Sequence, residues 1–224
     1  MHLIDLQAYL SELGDNNNRA WFVMNKPRYD ILRAEFLQLV TELITEISKF
    51  DPAILGLEPK KALFRINRDV RFAHDKSPYK TTFSSSIVPS GRKKPSEGGG
   101  PAYYFQMDGT GRLFYAVGEY MPPSDRLKAI RTHIVADPDG FAKVLKDKKL
   151  KAQFGTLQEE GKLQRPPKGF DADLPHIEQI KLKNFMVWTE CPLKGMDTDE
   201  LKTTLLTAYK SAMPLVSWLR SAPV

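Results

Sequence analysis

Tyr103–Val117 reads YYFQMDGTGRLFYAV, two apolar, aromatic-rich runs on either side of Asp108-Gly109-Thr110-Gly111. Aromatic and β-branched side chains suit the pleated, half-buried surface of a strand. A short Asp/Gly turn between two such runs specifies a β-hairpin. Alternation along the first run sends Tyr103 and Tyr104 to opposite faces, so one of them must enter the core. Upstream, Leu63–Val70 and Lys80–Val88 have the same strand character, and the middle of the chain is expected to supply a mostly antiparallel sheet.

Helical spacing flanks this region on both sides. Leu3, Leu6, Leu10 and Leu13 mark one face of a short helix ended by Gly14, and Asp15-Asn16-Asn17-Asn18 follows as a turn or cap cluster. Leu32, Phe36, Leu39, Val40, Leu43 and Ile47 repeat at helical spacing between Tyr29 and Phe50, and Asp51-Pro52 stops that helix. Beyond the hairpin, Ser124 is the expected cap of a helix carrying Leu127, Ile130 and Ile134. Asp137-Pro138 restarts it with a cap residue followed by proline at the first helical position. Arg165–Asp173 reads as irregular and Asn184–Thr189 as a short apolar strand. Asp197 and Glu200 have capping-box spacing ahead of Leu201, Leu205, Tyr209 and Met213, and Pro214 is expected to kink or end that last helix.

Strands grouped in the middle, with helices before and after, predict an α+β fold whose central sheet is flanked by N-terminal and C-terminal helices. The expected organisation is one domain over 1–224: helical in 1–52, strand-rich in 60–120, helical in 123–224 with a short strand near 184–189. A chain of 224 residues that is 42% hydrophobic can bury a substantial core. Cys191 is the only cysteine, which excludes an intrachain disulfide and suits a reducing compartment. Neither a signal-peptide pattern nor an apolar run approaching a membrane span is present, and a cytoplasmic protein is expected.

The net charge of +6 is unevenly placed. Lys60–Lys94 holds ten basic residues and two acidic ones, a net of +8 that leaves −2 for the rest of the chain. A field concentrated in this way favours an anionic partner at one place. Read as a strand, Leu63–Val70 puts Leu63, Arg65, Asn67, Asp69 and Arg71 on one face, opposite Phe64, Ile66, Arg68 and Val70. Guanidinium groups take phosphate or carboxylate in a bidentate manner, and Asp69 can orient a neighbouring arginine. Asp75-Lys76-Ser77-Pro78-Tyr79-Lys80 then supplies a rigid turn with two more cations. The candidate ligand-binding set is Arg65, Arg68, Asp69, Arg71, Lys76, Tyr79 and Lys80. Pro89–Pro101, with Arg92-Lys93-Lys94 and Gly98-Gly99-Gly100, reads as a mobile loop.

Other chemistry leaves little trace. His2, His74, His133 and His176 are scattered singly, with no second ligand at metal-binding spacing, so no metal and no cofactor is expected. The glycine run leads into a strand rather than a helix, which excludes a P-loop. Ser77-Pro78-Tyr79-Lys80 matches S-x-x-K only formally, since the companion motifs are missing. Asp69 and Asp75 are the weak catalytic candidates, and pairing with arginine would make either a poor base. Whether the protein is an enzyme stays open.

Arg65–Thr81, RINRDVRFAHDKSPYKT, closely resembles the signature of a family of conserved hypothetical proteins from bacteria and fungi, domain-of-unknown-function family 2461. The resemblance runs along nearly the whole chain: Asn17-Asn18-Arg19-Ala20-Trp21-Phe22, Ala102-Tyr103-Tyr104-Phe105, Met121-Pro122-Pro123 and Lys168-Gly169-Phe170-Asp171 are similar to its other motifs. It implies a family rather than an activity. It also adds Asn18 and Arg19, at a helix start that favours anions, and Tyr103 or Tyr104 as a stacking or hydroxyl contact. Three functions follow as expectations: a site for a phosphate- or carboxylate-bearing small molecule, a nucleic-acid-binding module, or a basic face for an acidic protein.

Overall fold

The computed structural model describes residues 1–93 and 97–223. In chain order these form α1 (Leu3–Asp15), α2 (Arg19–Met24), α3 (Lys26–Ser48), a 3-10 turn at Pro52–Ile54, α4 (Pro59–Ala62), β1 (Thr82–Ile87), β2 (Ala102–Asp108) and β3 (Arg112–Glu119). There follow α5 (Ser124–Ala136), α6 (Pro138–Lys146), α7 (Lys148–Phe154), α8 (Ile177–Ile180), β4 (Phe185–Pro192), α9 (Thr198–Ser211) and α10 (Met213–Ser221). The strands make one antiparallel sheet in sequence order, β1-β2-β3-β4. The fold is α+β, with helices before and after the sheet.

The local signals account for most of these boundaries. The Asp108 carboxylate accepts hydrogen bonds from the Thr110 amide (2.9 Å) and hydroxyl (2.6 Å), which closes the β2–β3 turn. Gly109 is required there because a Cβ would sit 2.6 Å from the Ser11 amide nitrogen on α1. Asp137 caps α6 through the Gly140 amide. The capping box at α9 forms in full, with the Glu200 amide donating to Asp197 and the Asp197 amide to Glu200. Pro214 falls in the first turn of α10, and α9 ends at Ser211. Ser124 is a correction: it is the first residue of α5 and makes no capping hydrogen bond, the cap position being Pro123.

Two compact units divide the chain. Unit 1 comprises Met1–Ile87, Tyr104–Tyr115 and Glu190–Leu206; unit 2 comprises Val88–Tyr103, Ala116–Thr189 and Thr207–Val224. In unit 1, α1 buries Leu6, Leu10 and Leu13, and α3 buries Leu32, Phe36, Leu39, Val40, Leu43 and Ile47. Phe36 meets Phe83 of β1 and Phe105 of β2 at ring-centroid distances of 5.4 and 5.5 Å. Each such side chain contributes about 1.5–3 kcal/mol by leaving water. The face of β2 that carries Phe105 and Met107 is thereby the core face, and Tyr104 and Gln106 are left half-buried on the other.

Unit 2 is organised around α5, α6 and α10. Phe141 packs on Trp218 (4.6 Å), whose indole N–H donates to Asp137. Arg126 donates to the buried Glu119 and to the carbonyls of Leu219 and Ala222, closing the C-terminal end of α10 with a paired charge.

Candidate functional site

The segment read as a strand over Leu63–Val70 does not become one. It forms only isolated antiparallel bridges, Leu63 with Ser85 and Asn67 with Tyr79. Four residue steps on one arm face six on the other, so two residues of the Lys80–Ser84 stretch are surplus and the ladder breaks. The turn beyond it competes as well. Asp75 accepts from the Ser77 amide (2.9 Å) and hydroxyl (2.5 Å), and Asp69 from the Arg71 amide, which are local bonds that replace ladder bonds. The alternation survives partly: Arg65, Asn67, Asp69 and Arg71 are exposed while Ile66 is buried. Leu63, however, is buried with Ala62 rather than exposed with the charges.

The outer edge of the second arm is held from a distance. The Asn17 side-chain amide accepts from the Tyr79 N–H at 3.0 Å and donates to the Tyr79 carbonyl at 2.9 Å. Both backbone groups of Tyr79 are thus satisfied by one side chain, as a neighbouring strand would satisfy them. The Tyr79 ring stacks on Phe22 at 4.1 Å and is only 7% exposed. Tyr79 is thus a packing residue of unit 1. Asn18 accepts from the Trp21 amide and caps α2, so its carbonyl oxygen already occupies the helix start that was expected to attract anions. Arg19 is exposed at the first residue of that six-residue helix.

The cations of the turn are largely neutralised from within. Arg71 forms a two-pronged pair with Asp69, Nε at 2.9 Å and Nη2 at 2.7 Å. Arg68 donates to Asp75 and to the Ser77 carbonyl, and Lys76 donates to the Val70 carbonyl at 3.0 Å. Asp69 is held down to about 2, first by its side-chain bond to Arg71. Asp75 is held down to about 2, first by the Ser77 hydroxyl and amide and then by Arg68. Carboxyls this acidic stay ionised at neutral pH and accept protons poorly. Their visible work is to fold the turn.

Arg65 and Lys80 differ from these. Among the described residues neither makes an ion pair with a carboxylate within 4 Å, and the Lys80 amide donates to the carbonyl of Ile66, the residue after Arg65, at 2.8 Å. Burial holds the Lys80 ammonium below the ordinary lysine value, and Arg65 adds to that. The ammonium lies 5.1 Å from the centre of the Phe64 ring. Phe64 then meets Tyr104 (6.2 Å), and Tyr104 meets Phe114 (6.1 Å), each edge to face. The Tyr104 hydroxyl donates to Gln106 at 2.7 Å, and Ser84 hydrogen-bonds it as well.

Tyr103 lies elsewhere, in unit 2 and fully buried, with its ring 5.1 Å from Tyr209 and its hydroxyl donating to the Met213 sulfur. It is the core member of the tyrosine pair, and Tyr104 is the one on the half-buried sheet face. Phe64, Ser84, Gln106 and Phe114 were not singled out from sequence. The period-2 alternation of β2 and β3 carries the only signal that could have found Gln106 and Phe114.

Of the basic run in 92–94, Arg92 is exposed and belongs with Lys93 to unit 2, while Lys94 lies outside the described residues. Residues 89–93 and 97–101 hold no strand or α-helix. Among the described residues, no three His, Cys, Asp or Glu side chains gather as metal ligands. Burial pushes the Cys191 thiol up, so it stays protonated. No helix among the described residues is long and apolar enough to cross a membrane.

A family model described as "Conserved hypothetical protein (DUF2461)" matches residues 5–218. No curated protein and no solved structure matches the chain. With a match that spans both units and all of the motifs above, the chain belongs to the DUF2461 family of conserved hypothetical proteins.

Proposed function

We propose that this protein binds a small phosphate- or carboxylate-bearing molecule, with Lys80 and Arg65 as the seat of the anion. The observation that carries the reading is the contrast within one basic segment. Arg68 and Arg71 already have carboxylate partners, whereas Arg65 and the half-buried Lys80 have none within ion-pair distance among the described residues. A partly desolvated ammonium beside a guanidinium is unfavourable alone and becomes favourable when an anion sits against both. The ordered turn of Arg68–Pro78 then acts as a support for these two residues, not as the ligand contact itself. A location in a reducing, cytoplasmic compartment is part of the proposal, supported by the single, protonated cysteine.

Thermal-shift and calorimetric titrations with inorganic phosphate, sugar phosphates and dicarboxylates test the reading. A ligand should raise the melting temperature of the wild type in a concentration-dependent way. That rise should vanish in Lys80→Ala and Arg65→Ala and persist in Arg71→Ala. Stabilisation that Lys80→Ala and Arg65→Ala leave intact would overturn the assignment.

A further inference from the structure

We infer a second ligand site, in unit 2 and independent of the anion seat at Lys80: a cavity that takes a monocarboxylate with a compact, branched or ring-shaped hydrocarbon body. Its volume is about 200 Å³. The walls come from the end of α6, from α7 and the loop after it, from α8 and from β4. All of the lining residues belong to unit 2.

Leu145, Leu150, Leu157, Leu182 and Val187 supply the apolar wall, Leu145 half-buried and the others buried. A cavity of about 150 Å³ lined by such side chains is enough to hold benzene, so this one has room for a body of about six to eight carbons. That size sets both limits on the ligand. A phosphate or short dicarboxylate has no hydrocarbon body to leave water, and a long acyl chain exceeds the space.

The polar groups of the same cavity set the sign of the ligand's charge. They are Lys151, Thr156, Glu159 and Gln179. Glu159 is already answered by Lys162 at 2.9 Å, so a cationic ligand finds no free carboxylate there. Among the described residues Lys151 has no carboxylate within 4 Å, and the side chains of Thr156 and Gln179 make no hydrogen bond. Lys148, Lys149 and Lys151 are the charged residues of α7, which holds no acidic one. A further cation touches the wall itself. Arg131 of α5 is only 8% exposed and donates from Nη2 to the Leu182 carbonyl at 2.9 Å. Its Nε has no hydrogen-bond partner among the described residues, and no carboxylate offsets its burial. A buried guanidinium without a counter-ion favours negative charge nearby. A hydrocarbon body against the leucines with its carboxylate towards Lys151 meets both features in one molecule.

The test is a calorimetric series on the wild-type protein with phenylacetate, 4-methylpentanoate, the amide of each, and inorganic phosphate. At least one acid should bind saturably, and about threefold or more tightly than its own amide. Lys151→Glu, at an exposed position, should abolish that preference. Leu145→Phe, which fills the cavity, should weaken acid and amide alike. Saturating inorganic phosphate should displace neither, because its seat is at Lys80. Absence of saturable binding by both acids, equal affinity for acid and amide, or displacement by phosphate would overturn the site. So would an acid preference that Lys151→Glu leaves intact.

Discussion

The side-chain amide of Asn17 and the backbone of Tyr79 form a reciprocal pair, 3.0 Å from the Tyr79 N–H to Oδ1 and 2.9 Å from Nδ2 to the Tyr79 carbonyl. Sixty-two positions separate them in sequence. This contact ties the entry to α2 to the arm that carries Lys80. Asn17→Ala should therefore destabilise the protein by about 1–3 kcal/mol, since a largely buried N–H and C=O lose their partner. Asn17→Asp should be no milder, because it keeps the acceptor and loses the donor. Thermal unfolding decides it, and two variants as stable as wild type would mean that the pair contributes nothing.

The turn carboxylates give a pH prediction with a definite sign. Asp69 and Asp75 are held at about 2 by their bonds to Arg71 and to Ser77, against about 3.9 in an unfolded chain. Their contribution to stability is complete above the unfolded value and is lost as pH falls through about 2. Carboxyl-carbon NMR titration should show both midpoints well below 3. Arg71→Ala should move Asp69 up and leave Asp75 in place. A midpoint near 4 for either residue in the wild type would show that its hydrogen bonds do not persist in solution.

Lys80 predicts the opposite limb. Burial and Arg65 hold it below an ordinary lysine, and a bound anion favours its charged form. Anion affinity should therefore fall as pH rises through the Lys80 pKa, which lies below that of an ordinary lysine. Dissociation constants measured from pH 7.5 to 11 should weaken in the wild type and stay level in Lys80→Arg, whose guanidinium does not titrate. A wild-type constant that is flat over this range would remove Lys80 from the site.

Gly118 in β3 offers a test of the sheet within unit 2. Its φ is +127°, and a Cβ there would lie 2.2 Å from the Phe185 carbonyl of β4. Gly118→Ala should cost more than about 2 kcal/mol, because the backbone is unsuited to a side chain and the strands must separate. Denaturant unfolding reads the loss directly. A variant of unchanged stability would mean that β3 and β4 are less closely apposed.

How much was readable from the sequence depended on how local the chemistry is. The Asp108 turn, the Asp137 cap and the Asp197–Glu200 box are bonds between residues two to four apart, and each forms. The helices of α1 and α3 follow from spacing alone. Leu63–Val70 misled because alternating apolar and charged residues look the same in a ladder and in an extended arm. The surplus residues opposite it and the side-chain bonds of the turn decide between the two.

The tyrosine pair shows a different limit. Alternation requires Tyr103 and Tyr104 to point oppositely, yet the choice between them depends on what packs against each face. The family motif located the basic segment without showing that Arg71 answers Asp69 and Arg68 answers Asp75. Among the described residues, that pairing leaves Arg65 and the half-buried Lys80 without a carboxylate at ion-pair distance.

The most direct measurement is an amide NMR titration of the wild-type protein with inorganic phosphate, sugar phosphates and dicarboxylates, followed residue by residue. Shifts should centre on Arg65, Ile66 and Lys80, with the Arg68–Ser77 turn little affected. Shifts centred on Arg68, Arg71 and Lys76, or no saturable shift with any of these ligands, would contradict the anion seat.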